Sequence, residues 1–89
     1  MPERLLLIGQ ARLLDRLERQ LSLLDAPPEV AGRLETDDAE PAAERLAAAV
    51  AETRPDAALV CLPAAMADLV SRIRTRLRRL GVPDRFVPT

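Results

Sequence analysis

The sequence predicts an α/β domain of three layers, in which a parallel four-stranded sheet lies between helices. Short apolar segments recur along the chain and stop at Gly9, Pro63 and Pro88, and amphipathic helical segments lie between them. Strands that are apolar on both faces are typical of a parallel sheet that is covered on both sides. The length of 89 residues predicts one domain, residues 1–89, either alone or as a module of a larger protein.

Strands and helices are predicted to alternate from one end of the chain to the other. The four strands are predicted at residues 4–8, 29–34, 57–62 and 85–87. The three helices are predicted at residues 10–24, 39–53 and 64–80. Right-handed crossovers between parallel strands then give the strand order 2-1-3-4.

The first strand is a run of leucine and isoleucine that ends at Gly9, and the first helix follows it directly. Pro27 and Pro28 come after this helix, and proline cannot continue a helix. The apolar stripe of the helix recurs at helical spacing and is predicted to contain Leu14, Leu17, Leu21 and Leu24.

The second helix is predicted from the residues at its start. Thr36, Asp37 and Asp38 offer caps for its first amides, and Pro41 suits its first turn. The helix is predicted to end before Pro55, because the residue before a proline disfavours helical geometry. Its buried stripe is predicted to contain Ala43, Leu46, Ala47 and Val50.

The third strand is apolar at every position and is therefore predicted to be central, and Pro63 ends it. The helix that follows has the clearest apolar stripe in the chain. That stripe is predicted to contain Met66, Leu69, Val70, Ile73, Leu77 and Leu80. Gly81 is predicted to terminate this helix, and the last strand is predicted to lie at an edge of the sheet.

Composition narrows the classes of function. The net charge is −1, so no overall basic field indicates a nucleic-acid or membrane-surface partner. The chain has no histidine, so it lacks the most usual general base and metal ligand. Its single cysteine, Cys61, excludes an internal disulfide. No apolar run approaches the roughly 20 residues of a membrane span. No signal-peptide pattern precedes Leu5, and a cytoplasmic location is expected.

The loops at the carboxyl ends of the strands form the candidate site, because open α/β sheets bind ligands there. The first of these loops is Gly9-Gln10-Ala11, which keeps one glycine of the G-x-G-x-x-G phosphate-binding pattern. The Gln10 side chain and the first amides of the helix offer hydrogen bonds to a phosphate. The alternative is that the backbone turn alone requires Gly9.

Two further segments complete the candidate site. The second loop is Glu35 to Asp38, in which Asp37 and Asp38 stand where a dinucleotide fold places the acid that binds a ribose. The alternative for this pair is capping of the second helix. Pro63 and Ala64 begin the loop after the third strand. Cys61, inside that strand, is interpreted as a small buried hydrophobe.

Arginines along the third helix are the strongest pattern outside the predicted core. Arg72, Arg76 and Arg79 share one helical face, and Arg74 and Arg78 share a neighbouring one. These arginines have two possible interpretations. They form either a solvated face that complements the helix dipole or a contact surface for an acidic partner. The lack of interleaved aromatic residues argues against single-stranded nucleic acid as the partner of these arginines.

No catalytic triad or paired-carboxylate arrangement can be assembled, so the sequence does not favour an independent enzyme.

Four segments resemble a known family. They are LLLIG at residues 5–9, VAGRLETDD at residues 30–38, DAALVCLP at residues 56–63 and LGVPDRFVP at residues 80–88. They are similar to the Rossmann-like N-terminal domain of bacterial polysaccharide-biosynthesis proteins, namely the nucleoside-diphosphate-sugar epimerases/dehydratases and the related initiating sugar transferases. The resemblance implies a Rossmann-like or flavodoxin-like fold, NAD(P) or a nucleotide sugar as ligand, and a catalytic domain outside these residues.

The chain departs from the family pattern at the loops that bind the nucleotide. Ala11 stands where the second glycine is found, and Ala64 and Ala65 stand where hydroxyl residues are often found. The resemblance therefore implies a degenerate nucleotide-fold module that is not catalytic by itself. Such a module is expected to act by docking to a partner domain or by forming a homo-oligomer.

A second resemblance supports an alternative function. Residues 30–63 also look like part of a response-regulator receiver domain, with Cys61 at the phosphoacceptor position. Gly9 and Gln10 stand where the acidic pair is found, and the chain has no lysine, so phosphotransfer by the usual route is excluded. The alternative is a receiver-like signalling or protein-interaction module.

Self-association is predicted from two features of the sequence. A short open sheet has two edge strands, which are ready to pair with another chain. In addition, residues 25–44 are acidic and residues 72–85 are basic, so the two segments attract one another.

Overall fold

The computed structural model describes residues 2–36 and 39–88, which form alternating strands and helices. The strands are β1 (Arg4–Gly9), β2 (Glu29–Glu35), β3 (Ala57–Leu62) and β4 (Asp84–Pro88). The helices are α1 (Ala11–Ser22), α2 (Ala43–Thr53) and α3 (Ala67–Arg79), and a short 3₁₀ turn, Ala64–Met66, precedes α3. No helix in the described ranges has the length and apolarity that a bilayer crossing needs.

The strands form one parallel sheet in the order β2-β1-β3-β4, so the predicted class, strand number and order are confirmed. Helix α1 packs on one face of the sheet, and α2 and α3 pack on the other. Strand β1 divides its side chains between the two layers: Leu5 and Leu7 face α1, and Leu6 and Ile8 face α2 and α3. The architecture is consistent with a Rossmann-like or flavodoxin-like fold.

Strand β3 is buried at all six positions, as its uninterrupted apolar run predicts. It lies between β1 and β4, with helices on both faces, so no position along it faces water. This strand therefore lies at the centre of the core and contributes side chains to both of its layers.

A β-bulge in β2 decides which of its side chains face α1. Leu5 pairs with Val30 but Leu6 pairs with Gly32, so Ala31 is the additional residue. The bulge reverses the alternation: Val30 packs on the α1 side, whereas Leu34 packs on the opposite side. The polar side chain of Arg33 is thereby directed towards α1, where it reaches two carboxylates.

The predicted ends of α1 and α3 are wrong in detail. Helix α1 ends at Ser22, and Leu24 is 53% exposed instead of belonging to the core. Helix α3 ends at Arg79, and Leu80 is 42% exposed. Both leucines match the helical spacing, but each lies beyond the last turn that contacts the sheet.

The predicted start of α2 is also wrong. The helix begins at Ala43, with Ala42 at the cap position and no side-chain hydrogen bond to its cap. The Thr36 hydroxyl donates a hydrogen bond to the carbonyl of Ala39.

Of the predicted α2 stripe, Leu46 is buried and Val50 is half-buried, whereas Ala43 and Ala47 are exposed. Asp37 and Asp38 lie outside the described residues.

The end of α3 confirms the prediction for Gly81, which has φ +76°. The Gly81 amide donates to the Arg78 carbonyl at 3.0 Å, and the Val82 amide donates to the Leu77 carbonyl at 3.0 Å. This pair of bonds is a Schellman motif, and Val82 is buried in the same apolar cluster as Leu77.

Helix α2 ends on the same left-handed geometry without a glycine, at Arg54 with φ 45° and ψ 59°. We expect Arg54→Gly to raise the free energy of unfolding by about 1 kcal/mol, because a side chain in this region is strained and glycine is not. Urea unfolding measures the change. The exposed Ala51→Gly in the same helix is the matched control and should lower stability by about 1 kcal/mol. Equal losses in the two variants would contradict the expectation.

Candidate functional site

The candidate site is the carboxyl edge of the sheet, where the carboxyl ends of the parallel strands meet and the connections that leave β1 and β3 run to opposite sides. Strand β1 connects through α1 to β2 on one side, and β3 connects through α3 to β4 on the other. Helices α1 and α3 lie on opposite faces, so the sheet has a topological switch point between β1 and β3. Ligands of open α/β folds bind at such a switch point.

Gly9 closes β1 against β3 at this edge. It pairs with Cys61, and a Cβ atom on Gly9 would overlap the Cys61 carbonyl oxygen and lie 2.9 Å from its carbonyl carbon. The sheet backbone therefore requires glycine here, whatever binds nearby. A ligand contact at Gly9 stays a prediction.

Gln10 and Ala11 lead from Gly9 into α1. Gln10 has an extended backbone, and its carbonyl accepts the Leu14 amide at 2.9 Å. Its side chain makes no capping hydrogen bond to the first amides of α1, and the first turn contains no acidic residue. The positive end of the α1 dipole thus lies at the carboxyl edge of the sheet without a carboxylate from the first turn of that helix.

Glu35, the first residue of the second predicted loop, is the acid that the structure places at the end of β2. It ends β2, pairs in register with Gly9, and has a side chain that is 57% exposed. The next residue, Thr36, donates its amide to the Gly9 carbonyl at 2.8 Å. A dinucleotide fold places its ribose-binding acid at this end of β2. The sequence assigned the role of that acid to Asp37 and Asp38, which lie outside the described residues.

Arg33 holds this part of the site together. Its Nη1 donates to Asp15 at 2.7 Å and to Glu18 at 2.8 Å, and its Nη2 donates to Glu35 at 2.9 Å and to the Ala11 carbonyl at 3.1 Å. The hydrogen bond to Asp15 is the largest cause of a raised pKa at Arg33; burial opposes it, and Glu18 adds to it. The guanidinium fixes the end of β2 against the first two turns of α1.

A cleft of about 500 Å³ opens beside Ala11 at this edge. Its polar lining comes from the end of β2, the segment before α2 and the first turn of α2. The lining residues are Ala11, Glu35, Thr36, Ala39, Glu40, Pro41, Ala42 and Arg45. Of the predicted site residues, Ala11 contributes to this lining.

The loop after β3 lies on the other side of Gly9. Pro63 accepts the Met66 amide at 2.9 Å and begins the 3₁₀ turn, in which Ala64 is exposed. Cys61 is buried, and burial raises the pKa of its thiol, although the charge of Arg16 opposes the change. The thiol is therefore neutral and packs as a small apolar group, in agreement with its interpretation from the sequence.

The arginines of α3 divide into two sets. Arg74 and Arg78 both bind Asp84 at the start of β4. Arg76 Nε contacts Glu40 at 2.9 Å. Within residues 2–36 and 39–88, no carboxylate lies within 4.0 Å of Arg72 or Arg79. The second set, Arg72, Arg76 and Arg79, faces the outer surface between α3 and α2.

Comparison of the chain with family models, curated proteins and solved structures found no match. The resemblances to nucleotide-sugar proteins and to receiver domains therefore stay predictions.

Proposed function

We propose that this chain is a nucleotide-binding module of nucleotide-sugar or polysaccharide metabolism, which binds its ligand at the carboxyl edge of the sheet and is not catalytic by itself. One observation carries the proposal: Glu35, at the end of β2, lies in register beside Gly9, where β1 leads into α1. This pairs an acid with the amino end of a helix, as a dinucleotide fold does.

The diphosphate of the ligand would lie at Gly9, Gln10 and Ala11, against the first amides of α1. Those amides have no acceptor within the helix, and the helix dipole favours an anion there. The ribose would lie over the end of β2, with its hydroxyls donating to Glu35. The remainder of the ligand would extend across β3 towards Pro63 and Ala64.

The ion pairs of this edge support a binding role. Arg33 orients the Glu35 carboxylate, and Arg76 holds Glu40 on the opposite wall of the cleft. Carboxylates fixed in this way are suited to orienting hydroxyl groups. Glu35 also predicts selectivity, because a carboxylate at the ribose repels the 2′-phosphate of NADP. We therefore expect NAD to bind more tightly than NADP.

Thermal unfolding in the presence of NAD, NADP, a UDP-sugar and coenzyme A tests the proposal. A ligand at 100 times its dissociation constant should stabilise the fold by about 2.7 kcal/mol. For a domain of this size the midpoint should rise by on the order of 10 °C. We expect a rise with NAD or the UDP-sugar and a smaller one with NADP.

Two variants locate the effect. Glu35→Gln removes the charge at the ribose and should weaken binding about tenfold. Glu52→Gln, on the exposed surface of α2, is the matched control and should leave binding unchanged. A flat response to all four compounds would overturn the proposal and leave the receiver-like interaction module as the alternative.

A further inference from the structure

The outer face of α2 and α3, away from the sheet, contains an apolar groove. The groove has a volume of about 390 Å³ and is lined by Ala43, Leu46, Ala47, Arg76, Arg79 and Leu80. Leu80 is 42% exposed at its end, and the alanines of the α2 wall are exposed as well. Small side chains on one wall and a protruding leucine on the other allow a second surface to approach closely.

Charges of opposite sign border the two sides of this groove. Arg76 and Arg79 line the α3 side, and Arg76 is already paired with Glu40. Glu44 is exposed on the α2 side, three residues before Ala47 and on the same surface of the helix. No described carboxylate lies within 4.0 Å of Arg79.

We propose that this face is where two copies of the chain associate about a two-fold axis. A two-fold interface uses the same surface twice, so each copy must offer an acidic side, a basic side and an apolar centre. The α2–α3 face offers all three. Rotation about an axis through the groove brings Glu44 of one copy to Arg79 of the other, twice, and directs each Leu80 towards the alanines of the other copy.

A second copy fits this face better than it fits the sheet edges. Strand β2 carries a bulge at Ala31, and β4 has five residues with Pro83 before it and Pro88 at its end. Bulges, prolines and short strands discourage edge pairing. The net charge of −1 places little repulsion between two copies. Self-association is therefore assigned to the helical layer, and it does not depend on nucleotide binding.

The size of the face predicts a weak dimer. Helices of 11 and 13 residues at a rise of 1.5 Å per residue, side by side at about 10 Å, present roughly 400 Å² per copy. Twice that area lies below the roughly 1,200 Å² of stable specific interfaces. We expect a dissociation constant in the micromolar range, which rises with salt because the charge pairs are exposed.

Sedimentation equilibrium of the intact chain tests the proposal with a charge exchange. Arg79→Glu and Glu44→Arg each place like charges together twice in a dimer, and each should raise the dissociation constant about tenfold or more. An equimolar mixture of the two variants places opposite charges together twice and should restore dimerisation. Arg12→Glu, on the exposed surface of α1, is the matched control and should dimerise like the unaltered chain.

Circular dichroism of each variant confirms that it is folded before its association is measured. Loss in both single variants with recovery in the mixture supports the proposed axis. Monomer alone at high micromolar concentration and low salt would overturn the proposal. Dimerisation that both single variants leave unchanged would overturn it as well and would move the interface to another surface.

Discussion

Replacing Gly9 by alanine is expected to lower the free energy of unfolding by about 3 kcal/mol or more. The added Cβ would overlap the carbonyl oxygen of Cys61 and lie 2.9 Å from its carbonyl carbon. Both are backbone atoms of a paired strand. The clash can therefore be relieved only if the two central strands, β1 and β3, separate at the carboxyl edge of the sheet. For a domain this small the loss is a large part of the total stability. Urea unfolding should show a strongly reduced midpoint.

Gly81→Ala is the matched control for this prediction. A Cβ on Gly81 meets nothing within 4 Å, so only its φ of +76° opposes the substitution. The expected loss is about 1 kcal/mol. If Gly9→Ala costs no more than Gly81→Ala, the close approach between β1 and β3 is not a constraint on this chain.

Replacing Asp84 by asparagine is expected to lower the free energy of unfolding by about 2 kcal/mol at neutral pH. The Asp84 side chain is only 5% exposed, and it accepts hydrogen bonds from the Nε atoms of Arg74 and Arg78, the latter at 3.1 Å. These bonds join the last turns of α3 to the start of β4. The two arginines are partly exposed, so water recovers part of the loss. Asp25→Asn, at an exposed bend, is the control and should be nearly neutral.

The pH dependence of this difference has a defined sign. Burial alone would raise the pKa of Asp84, but the hydrogen bonds and charges of Arg74 and Arg78 outweigh it and lower the pKa below its ordinary value of 3.8. A carboxyl whose pKa is lowered by folding contributes stability that is fully present above its unfolded pKa. That contribution is lost as the pH falls through the folded pKa.

Urea unfolding of the unaltered chain and Asp84→Asn at several pH values measures this contribution. The stability difference between the two proteins should be constant from neutral pH down to about pH 5 and should shrink below pH 4. A difference that persists unchanged in acid would show that the carboxylate charge does not hold β4 to α3.

The sequence was sufficient for the architecture because the strongest signals are local. The unbroken apolar run of β3 predicts a strand that is buried on both faces, and the structure buries every residue of it. The glycine after α3 predicts a left-handed helix end, and Gly81 has that conformation. The last apolar residue of a helical stripe was less predictable: Leu24 and Leu80 continue a helical spacing past the point where the helix leaves the sheet.

The candidate site was less predictable because it depends on register. Glu35 becomes part of the site only when β2 lies parallel to β1 with Glu35 beside Gly9, and the bulge at Ala31 sets that register. No local residue pattern predicts the bulge. Arg33 follows the same rule, since three of its four hydrogen bonds are to α1, and they form only after the alternation of β2 has been reversed. The positions of Glu35 and Arg33 therefore depend on how β2 pairs with β1, which local residue patterns do not show.

Amide chemical-shift mapping with NAD and a UDP-sugar tests the central claim most directly, because it reports both whether a nucleotide binds and where. The account predicts saturable shifts for the amides of Gln10, Ala11 and Thr36, with little change at Leu80 on the α2–α3 face. Glu35→Gln should weaken those shifts, and Glu52→Gln should not. An absence of shifts with both ligands, or shifts confined to the α2–α3 face, would contradict a nucleotide site at the carboxyl edge of the sheet.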